Sequence, residues 1–370
     1  MDIPQLFPDA DAGGAARGPR ELPVLDVQKD IHYHAVDARS ILNAPAATGM
    51  PFWSINPYVG CAFGCAYCYA RFTHRYTMER ATGGAAGAES WVSTGDDGAA
   101  LPPWLAFERQ VLVKREAAQL LRAELRPGRR AYEALVERGE PLVIGTATDP
   151  YQPAERRFQI TRALLGVLGE HAGMQVGLIT KSPLVTRDAA LLAAISARSR
   201  LTVHISLITL DRALARRVEP RAPTPESRLR AVRRLREAGV DVGVNCMPVL
   251  PGLTDQPSAL RALVAAVANA GATHLNVGSL RLRAAARQRY LPWVSENVPE
   301  LSARYQATYA TSAQPSERYR AGLRSFISRL CAEYGLAANV GGGQRGDASP
   351  AARALARATH ALSAQLQLAL

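Results

Sequence analysis

Three of the five cysteines in this 370-residue chain, Cys61, Cys65 and Cys68, lie within eight residues. Their spacing, C-x3-C-x2-C, is poor for a disulfide framework and suits a metal or cluster site in a reducing compartment. Iron–sulfur clusters are held by cysteine thiolates, and a cube bound through only three of them leaves one iron open to a further ligand. The spacing therefore predicts a [4Fe-4S] cluster on these three cysteines, in a loop that Gly60 and Gly64 allow to turn tightly.

Two other interpretations of the cysteines stay open. His74 stands six residues after Cys68, so a tetrahedral Cys3His zinc site is chemically feasible, and the chain would then be a non-catalytic zinc module that binds nucleic acid. The other alternative is a non-enzymatic iron–sulfur protein for electron transfer or iron sensing. The zinc interpretation does not explain the repeated elements that follow the cysteines.

From about residue 52 onward, short β-branched runs alternate with longer amphipathic stretches, a pattern typical of βα units around a parallel sheet. Strands are predicted at 52–58, 141–148, 175–181, 201–208, 241–249 and 274–282. Helices are predicted at 115–125, 157–170, 183–197, 225–238 and 257–270, and later at 298–310 and 316–333. Six βα units cannot close an eight-strand barrel, so the predicted fold is an α/β partial (βα)6 barrel with a helical C-terminal extension.

Composition divides the chain further. Residues 1–22 are predicted to be a disordered tail, and residues 23–283 the barrel domain, with a flexible insertion at 81–102. Residues 284–340 form the helical extension, and 341–370 a linker with a tail helix. The chain has no run of about 18 uncharged apolar residues, and its start lacks the order of a secretory signal. These features predict a cytoplasmic protein without a membrane partner.

Polar residues occur where the predicted strands end, and parallel barrels bind their ligands at these ends. Thr148 and Asp149 end the second strand, Lys181 ends the third, and Ser206 lies late in the fourth. A zwitterionic amino-acid group needs a cation or hydroxyl for its carboxylate and acceptors for its amine, and these side chains supply both. The chain has three lysines and 41 arginines, so a lysine at a strand end indicates that this position requires a lysine side chain.

Six segments carry a resemblance to a known family: HYHAVDARSILN (32–43), NPYVGCAFGCAYCYARFTHRY (56–76), GTATDPYQPAE (145–155), ITKSPLVTRD (179–188), EPRAPTPESRL (219–229) and PVLPGLTD (248–255). Together they resemble the radical SAM superfamily, in particular its spore-photolyase-like branch of DNA repair photolyase-like proteins, with uncharacterised actinobacterial members. The resemblance covers most of 32–335. It implies a radical SAM barrel in which the open iron binds S-adenosylmethionine (SAM). An electron from the cluster then cleaves SAM to methionine and a 5'-deoxyadenosyl radical that abstracts hydrogen.

The resemblance also assigns residues. It implies that Thr148, Lys181 and Ser206 contact SAM, that Tyr67 packs near the adenine, and that Tyr69 takes part in hydrogen transfer. Further candidates for contact with SAM or substrate are Glu155, Arg221, Arg71, His74 and Tyr76, each with ion pairing or packing as the alternative. A reductase, flavodoxin or ferredoxin is the implied electron donor.

The chain departs from spore photolyase at one position. That enzyme supplies a hydrogen atom from a cysteine near the end of its second strand, where this chain has Thr146, Ala147 and Thr148. Reversal of a thymine dimer would therefore lack its usual thiol. Cys246, late in the fifth predicted strand, is the candidate replacement, with a buried apolar role as the alternative. Cys331 has no predicted role.

The chain is strongly basic, with a net charge of +12 and an isoelectric point near 9.9. A basic surface attracts polyanions, although the excess of arginine and alanine also fits a GC-rich coding sequence. The charge and the resemblance together make DNA or RNA the leading substrate class. A base in a duplex would have to be extruded to reach the barrel.

Overall fold

The structure is a computed structural model that describes residues 22–71, 73 and 101–340. Its strands are β1 (Val24–Gln28), β2 (Ile31–Ala35), β3 (Leu42–Asn43), β4 (Trp53–Ile55), β5 (Tyr58–Val59), β6 (Gln110–Val113), β7 (Pro141–Ile144), β8 (Gln175–Thr180), β9 (Arg200–Ser206), β10 (Asp241–Val249), β11 (His274–Ser279) and β12 (Ala337–Val340).

The helices alternate with these strands. They are α1 (Pro45–Thr48), α2 (Pro103–Arg109), α3 (Ala117–Glu124), α4 (Arg130–Tyr132), α5 (Ala154–Phe158), α6 (Ile160–Gly169), α7 (Ala189–Ser196), α8 (Arg212–Val218), α9 (Pro225–Glu237), α10 (Pro257–Asn269), α11 (Ala284–Asn297), α12 (Pro299–Thr308) and α13 (Glu317–Glu333). A π-helical turn, Glu133–Glu137, continues α4, and a 3-10 helix, Pro183–Asp188, leads into α7.

The main sheet forms the partial barrel, with the strand order β12-β11-β10-β9-β8-β7-β4-β3. β4 and β7 to β12 run parallel to their neighbours, whereas β3 pairs antiparallel with β4. Parallel neighbours need long crossovers, which the helices provide. As a result, all these strands present their carboxyl ends at the same rim.

Alternation along the strands separates an apolar outer face from a polar inner face. On β9 and β10, Val203 and Val244 point outward into the main hydrophobic core, which the surrounding helices complete. The residues between them, such as His204 and Asn245, are buried on the inner face, where Asn276 of β11 donates to Asn245 at 2.6 Å. The barrel interior below the rim therefore contains hydrogen-bonded polar side chains.

A second, smaller sheet of order β1-β2-β6-β5 lies beside the barrel. β6 joins segments that are far apart in the sequence: it pairs with β2 in parallel and with β5 antiparallel. Because β5 ends at Val59, this sheet holds the chain immediately before the first cysteine of the motif.

The predicted partial barrel is confirmed, and each of the six predicted strands is present; the fifth, 241–249, has the predicted ends, and the other five are shifted at one or both ends. The first predicted strand, 52–58, is divided: β4 belongs to the barrel and β5 to the smaller sheet. The helical C-terminal part is also present, as α11, α12 and α13. It ends in a strand that the sequence did not reveal, β12, which extends the barrel beyond β11.

Several predictions fall outside the described residues. These are the tail up to residue 21, most of the insertion at 81–102, the linker and tail helix at 341–370, and the candidates His74 and Tyr76. Among the described helices, none is both long enough and apolar enough to cross a bilayer.

Candidate active site

A cavity opens at the carboxyl ends of the barrel strands, where parallel barrels bind ligands. It holds about 1030 Å³ of empty space, counted out to its open mouth. The walls contain all three cysteines of the motif together with the predicted aromatic and strand-end residues: Cys61, Cys65, Cys68, Tyr67, Tyr69, Thr148, Asp149, Lys181 and Ser206. The structure thus brings together residues from four separate parts of the sequence.

The cysteine loop, residues 60–70, is fixed to the barrel by backbone hydrogen bonds. The Cys61 N–H donates to the Phe107 carbonyl at 2.9 Å, and the Ala66 N–H donates to the Val218 carbonyl at 2.9 Å. These contacts join the loop to the end of α2 on one side and to α8 on the other. The loop is therefore held against the barrel on both sides.

Glycine is required at two turns of this loop. Gly60 has φ +85°, and a Cβ there would lie 2.7 Å from the Phe107 carbonyl oxygen. Gly64 has φ +65°, and its Cβ would lie 2.6 Å from a guanidinium nitrogen of Arg221. Both positions have a left-handed backbone that favours glycine; at Gly60 the close neighbour is a fixed backbone oxygen, whereas at Gly64 it is the end of a flexible side chain.

Two arginines support the loop from below. Arg71 is 1% exposed and donates to the Cys65 carbonyl at 2.8 Å and to Glu108 at 2.7 Å. Arg221 donates to the Ala62 carbonyl and lies 3.5 Å from Asp30. Both predicted contact residues therefore hold the loop, and neither lines the cavity.

The three thiols lie in a setting that keeps them protonated unless a positive group binds them. Burial raises the pKa of Cys61 to about 12 and also raises the pKa values of Cys65 and Cys68. The ammonium of Lys181 opposes the rise at Cys65. Buried thiols stay protonated unless a positive partner is close, and a metal ion or cluster is such a partner.

The donor set fits a cluster better than a single ion. Within the described ranges, no three His, Cys, Asp or Glu side chains converge closely enough to hold one metal ion. Zinc needs its ligands about 2.3 Å from a single centre when they are thiolates. In a cubane each thiolate binds a different iron, so the sulfurs surround a wider space. The three thiols line one cavity without converging on a single centre, and His74, the fourth ligand of the zinc alternative, lies outside the described residues.

Two polar side chains tie the cysteine loop to the end of β7. Thr148 donates through its hydroxyl to the Gly60 carbonyl at 2.6 Å. Gln152 donates to the same carbonyl at 3.1 Å and to the Thr148 hydroxyl at 3.0 Å, and it accepts from the Ala62 N–H at 2.9 Å. Thr148 therefore lies on the cavity wall with its oxygen already fixed.

Asp149 joins the ends of β7 and β8. Its carboxylate accepts from the Thr180 hydroxyl at 2.6 Å, from the Lys181 N–H at 2.7 Å and from the Tyr151 N–H at 2.9 Å. Burial raises its pKa, although these hydrogen bonds oppose the rise. This arrangement sets the direction in which Lys181 leaves β8.

A buried ionic cluster organises the wall around Lys181. Glu219 is 1% exposed; it accepts hydrogen bonds from the Tyr67 hydroxyl and from Arg228, and the Lys181 ammonium lies 4.0 Å away. The ammonium also sits 5.7 Å from the centre of the Tyr67 ring. Burial opposes ionisation of Glu219, but Arg228 and Lys181 outweigh it and hold its pKa below the usual range.

Ser206 completes this part of the wall. It is buried at the end of β9, and its backbone carbonyl accepts from Arg228 at 3.0 Å. Arg228 therefore fixes the β9 end and the Glu219 carboxylate at once.

Tyr69 is a further aromatic residue of the cavity wall. Its hydroxyl donates to the Thr146 carbonyl at the end of β7. Burial raises the pKa of Tyr69 above its usual range, so the phenol stays protonated. The ring is half-buried and faces the cavity.

Two predicted residues are not brought to the cavity. Cys246 is fully buried on the outer face of β10, in the main core, because its strand neighbours Asn245 and Met247 point inward. Glu155 is fully buried, where it accepts from Tyr58 at 2.5 Å and from Arg187 at 2.9 Å. The predicted thiol donor is therefore on the wrong side of the sheet, and Glu155 is an internal anchor.

Sequence reasoning missed Glu219, Arg228 and Gln152. Glu219 opens the motif EPRAPTPESRL, in which Arg221 drew attention instead, and Gln152 lies inside GTATDPYQPAE. The only sequence signal for these three residues was that they lie in the segments that carry the family resemblance. The contacts themselves arise only when distant segments fold together.

Comparison with known proteins agrees with this geometry. Residues 55–264 match the family described as the radical SAM superfamily. An uncharacterised protein of Mycobacterium tuberculosis is 36% identical over 309 residues, which cover 83% of this chain and 82% of the relative. An uncharacterised protein of Methanocaldococcus jannaschii is 26% identical over 220 residues, 60% of this chain and 68% of the relative.

Solved structures show the same fold. A spore photoproduct lyase variant with bound AdoMet and dinucleoside spore photoproduct superposes with a TM-score of 0.56 at 14% identity, covering 83% of this chain and 81% of that chain. Another spore photoproduct lyase structure, complexed with dinucleoside spore photoproduct, gives a TM-score of 0.55 at 13% identity and the same coverage.

Proposed function

Because this chain belongs to the radical SAM superfamily and is a radical SAM enzyme, we propose that it binds a [4Fe-4S] cluster through Cys61, Cys65 and Cys68 and cleaves SAM reductively. The observation that carries this proposal is one cavity lined both by the three cysteines and by the polar strand ends. When bound, the cluster supplies the electron that divides SAM into methionine and a 5'-deoxyadenosyl radical, which abstracts hydrogen from the substrate.

The protein's own residues hold the methionyl end of SAM. Lys181 offers an ammonium and Ser206 a hydroxyl to the carboxylate, at the adjacent ends of β8 and β9. Glu219 and Tyr67 keep the Lys181 ammonium over the cavity. Asp149 positions Lys181 through the backbone, while its carboxylate stays engaged by this chain's own donors.

Tyr67, Thr148 and Tyr69 take different roles in this proposal. Tyr67 provides an aromatic wall for the adenine, with its hydroxyl anchored on Glu219. Thr148 fixes the cysteine loop through Gly60. Tyr69 is the hydrogen-transfer residue, since its phenol faces the cavity and the Cys246 thiol does not.

A nucleic acid is the proposed substrate class, and a flavodoxin or ferredoxin, or another reductase, is the proposed electron donor. The support for nucleic acid is the net charge of +12 and the fold shared with a lyase that binds a dinucleoside photoproduct. A cytoplasmic location accords with the need for thiolates in a reducing compartment.

The experiment is anaerobic cluster reconstitution, reduction with dithionite, addition of SAM and measurement of 5'-deoxyadenosine. The wild-type protein is expected to form 5'-deoxyadenosine, and Cys65→Ala is expected to lose both the cluster and the product. Cys246→Ala is the matched control, because it removes a buried thiol outside the cavity, and it should keep both. Product formation by Cys65→Ala, or none by the reconstituted wild type, would refute the proposal.

A further inference from the structure

Arg281 is a positively charged residue of the cavity that is not among the residues proposed to contact SAM. It follows β11 and lines the cavity together with Ser279 and Leu280. In strand order β11 lies three positions from β8, which precedes Lys181. Neighbouring strands are about 4.8 Å apart, so the two side chains start up to roughly 14 Å apart along the arc. The cavity therefore has a second cationic position, on β11 and separate from the ends of β8 and β9 that carry the proposed SAM contacts.

This guanidinium has no anionic partner within the part of the chain that the structure describes. Its Nε is buried without a hydrogen-bond acceptor. The charged groups that act on it are both positive: Arg283 is exposed beside it, and Arg320 is already bonded to Glu317 and Gln314. Burial and these two arginines lower the pKa of Arg281 to about 10.

A partly buried guanidinium without a partner is costly, so the arrangement is stabilised when an anion enters the cavity. The planar fork of arginine matches the oxygens of a phosphate in a bidentate geometry. Arg283 and Arg320 add positive charge near Arg281, which favours an anion at this position. SAM itself offers one carboxylate, for which Lys181 and Ser206 are available.

We propose that Arg281 is the substrate-binding residue that holds a phosphate group of the substrate at the far end of the cavity. This inference rests on the proposed function and deepens it by assigning the substrate's anchor. The phosphate belongs either to the diester backbone of an oligonucleotide or to a monoester nucleotide, and both present the same chemistry to Arg281.

The test is direct binding of a fluorescein-labelled single-stranded DNA oligonucleotide by anisotropy, at several salt concentrations, with cluster-loaded protein. Arg281→Gln is expected to weaken binding about tenfold or more, because a charge-assisted hydrogen bond is lost. The slope of log K against log salt should fall by about 0.7, the value for one phosphate contact on a single strand. Arg233→Gln is the matched control: Arg233 is exposed on α9 away from the cavity, and its loss should change affinity less than about twofold.

A competition arm distinguishes the two phosphate sources. If cytidine 5'-monophosphate competes about tenfold better than cytidine with the wild type but not with Arg281→Gln, a monoester suffices. If both compete equally while oligonucleotide binding still depends on Arg281, the diester backbone is the source. Arg281→Lys keeps the charge without the fork and should lie between the wild type and the glutamine variant. Thermal melting verifies that each variant is folded.

Three results would overturn the inference. One is an equal loss of oligonucleotide affinity in the Arg281→Gln and Arg233→Gln variants. Another is weakened SAM binding in Arg281→Gln with unchanged oligonucleotide binding. The third is stronger competition by poly-glutamate than by either phosphate ligand. None of these measurements requires SAM cleavage, so a wild type that forms no 5'-deoxyadenosine would refute the proposed function separately.

Discussion

Glu219 holds together the part of the cavity wall that we propose binds SAM. Its buried carboxylate contacts Tyr67, Arg228 and Lys181, which come from three different segments. Removal of one partner of a buried ion pair leaves the other charge without compensation, which costs about 3 kcal/mol or more. Glu219 therefore acts as a positioning residue for Tyr67 and Lys181.

Glu219→Gln is expected to lower the free energy of unfolding by about 3 kcal/mol and to raise the dissociation constant of SAM about tenfold. The physical reason is that the neutral amide keeps the shape but no longer holds the two cations. Urea unfolding and equilibrium SAM binding to cluster-loaded protein measure the two effects. Iron content should be unchanged, because Glu219 does not ligate the cluster.

Glu155→Gln is the matched control for this prediction. Glu155 is a second fully buried carboxylate in an arginine pair, and it lies outside the cavity. We expect a similar loss of stability with unchanged SAM affinity. Equal weakening of SAM binding in both variants would show that the effect of Glu219 is only general destabilisation.

The sequence indicated most clearly which residues would line the cavity where chemistry restricts the residue type. The three cysteines and Lys181 all reach the cavity, since few residue types bind a cluster or offer an ammonium. Arg71 and Glu155 were ambiguous, because an arginine or glutamate serves equally in packing and in binding. Cys246 could not be placed, since one step along a strand reverses the face and strand register is not readable from one sequence.

At the scale of elements, the cysteine loop depends on Gly60. A Cβ there would meet backbone oxygen atoms of Phe107 and Gln110 at 2.7 and 3.0 Å, and these cannot rotate away. Gly128 offers a comparison, because it has a similar φ of +79° and a Cβ added to it would meet no other atom within 4 Å. Substitution of Gly128 therefore tests backbone strain alone, whereas substitution of Gly60 tests strain together with steric overlap.

Gly128→Ala is expected to cost about 1 kcal/mol of unfolding free energy, the strain of a left-handed residue alone. Gly60→Ala should cost at least about twice as much and should reduce iron incorporation, because the loop must shift. Denaturant unfolding and iron analysis after reconstitution measure both. Equal costs with full iron content in Gly60→Ala would contradict the assigned role of the turn.

A half-buried lysine supports the strands near the loop. Lys114 follows β6 and donates to the Asn56 carbonyl at 2.9 Å, and the Asn56 side chain accepts from the Ala147 N–H at 2.8 Å. Burial lowers the pKa of Lys114 from 10.5 to about 8, although Glu124 opposes the shift. Between about pH 8 and pH 10.5, Lys114 holds a proton in the unfolded chain but not in the folded protein, so the free energy of unfolding rises with pH.

The wild type should therefore gain about 2 kcal/mol relative to Lys114→Met between about pH 7.5 and pH 10. Below about pH 8 both states of the wild type hold the proton, and the cost of burying the charge is fully present. Urea unfolding of cluster-free protein in reductant, at both pH values, gives the difference between the two proteins. A difference that does not change with pH would mean that Lys114 is not desolvated in the folded state.

At the scale of the whole molecule, the sequence predicted the barrel because βα repeats have a strong periodic signal. The smaller sheet escaped prediction, since β5 has two residues and β6 finds its partner β2 far back in the chain. The C-terminal strand β12 was not predicted, because it is short and follows a segment with a helical pattern. Pairings of short strands over long distances depend on tertiary contacts that local patterns do not contain.

The proposed function has one requirement: a cluster on the three cysteines must leave one iron accessible to SAM within the cavity. The most direct measurement is the electron paramagnetic resonance spectrum of the dithionite-reduced, reconstituted protein before and after addition of SAM. We predict a reduced [4Fe-4S] signal whose g values shift when SAM is added, because SAM binds the iron that no cysteine holds. A reduced cluster signal that SAM leaves unchanged would contradict this assignment.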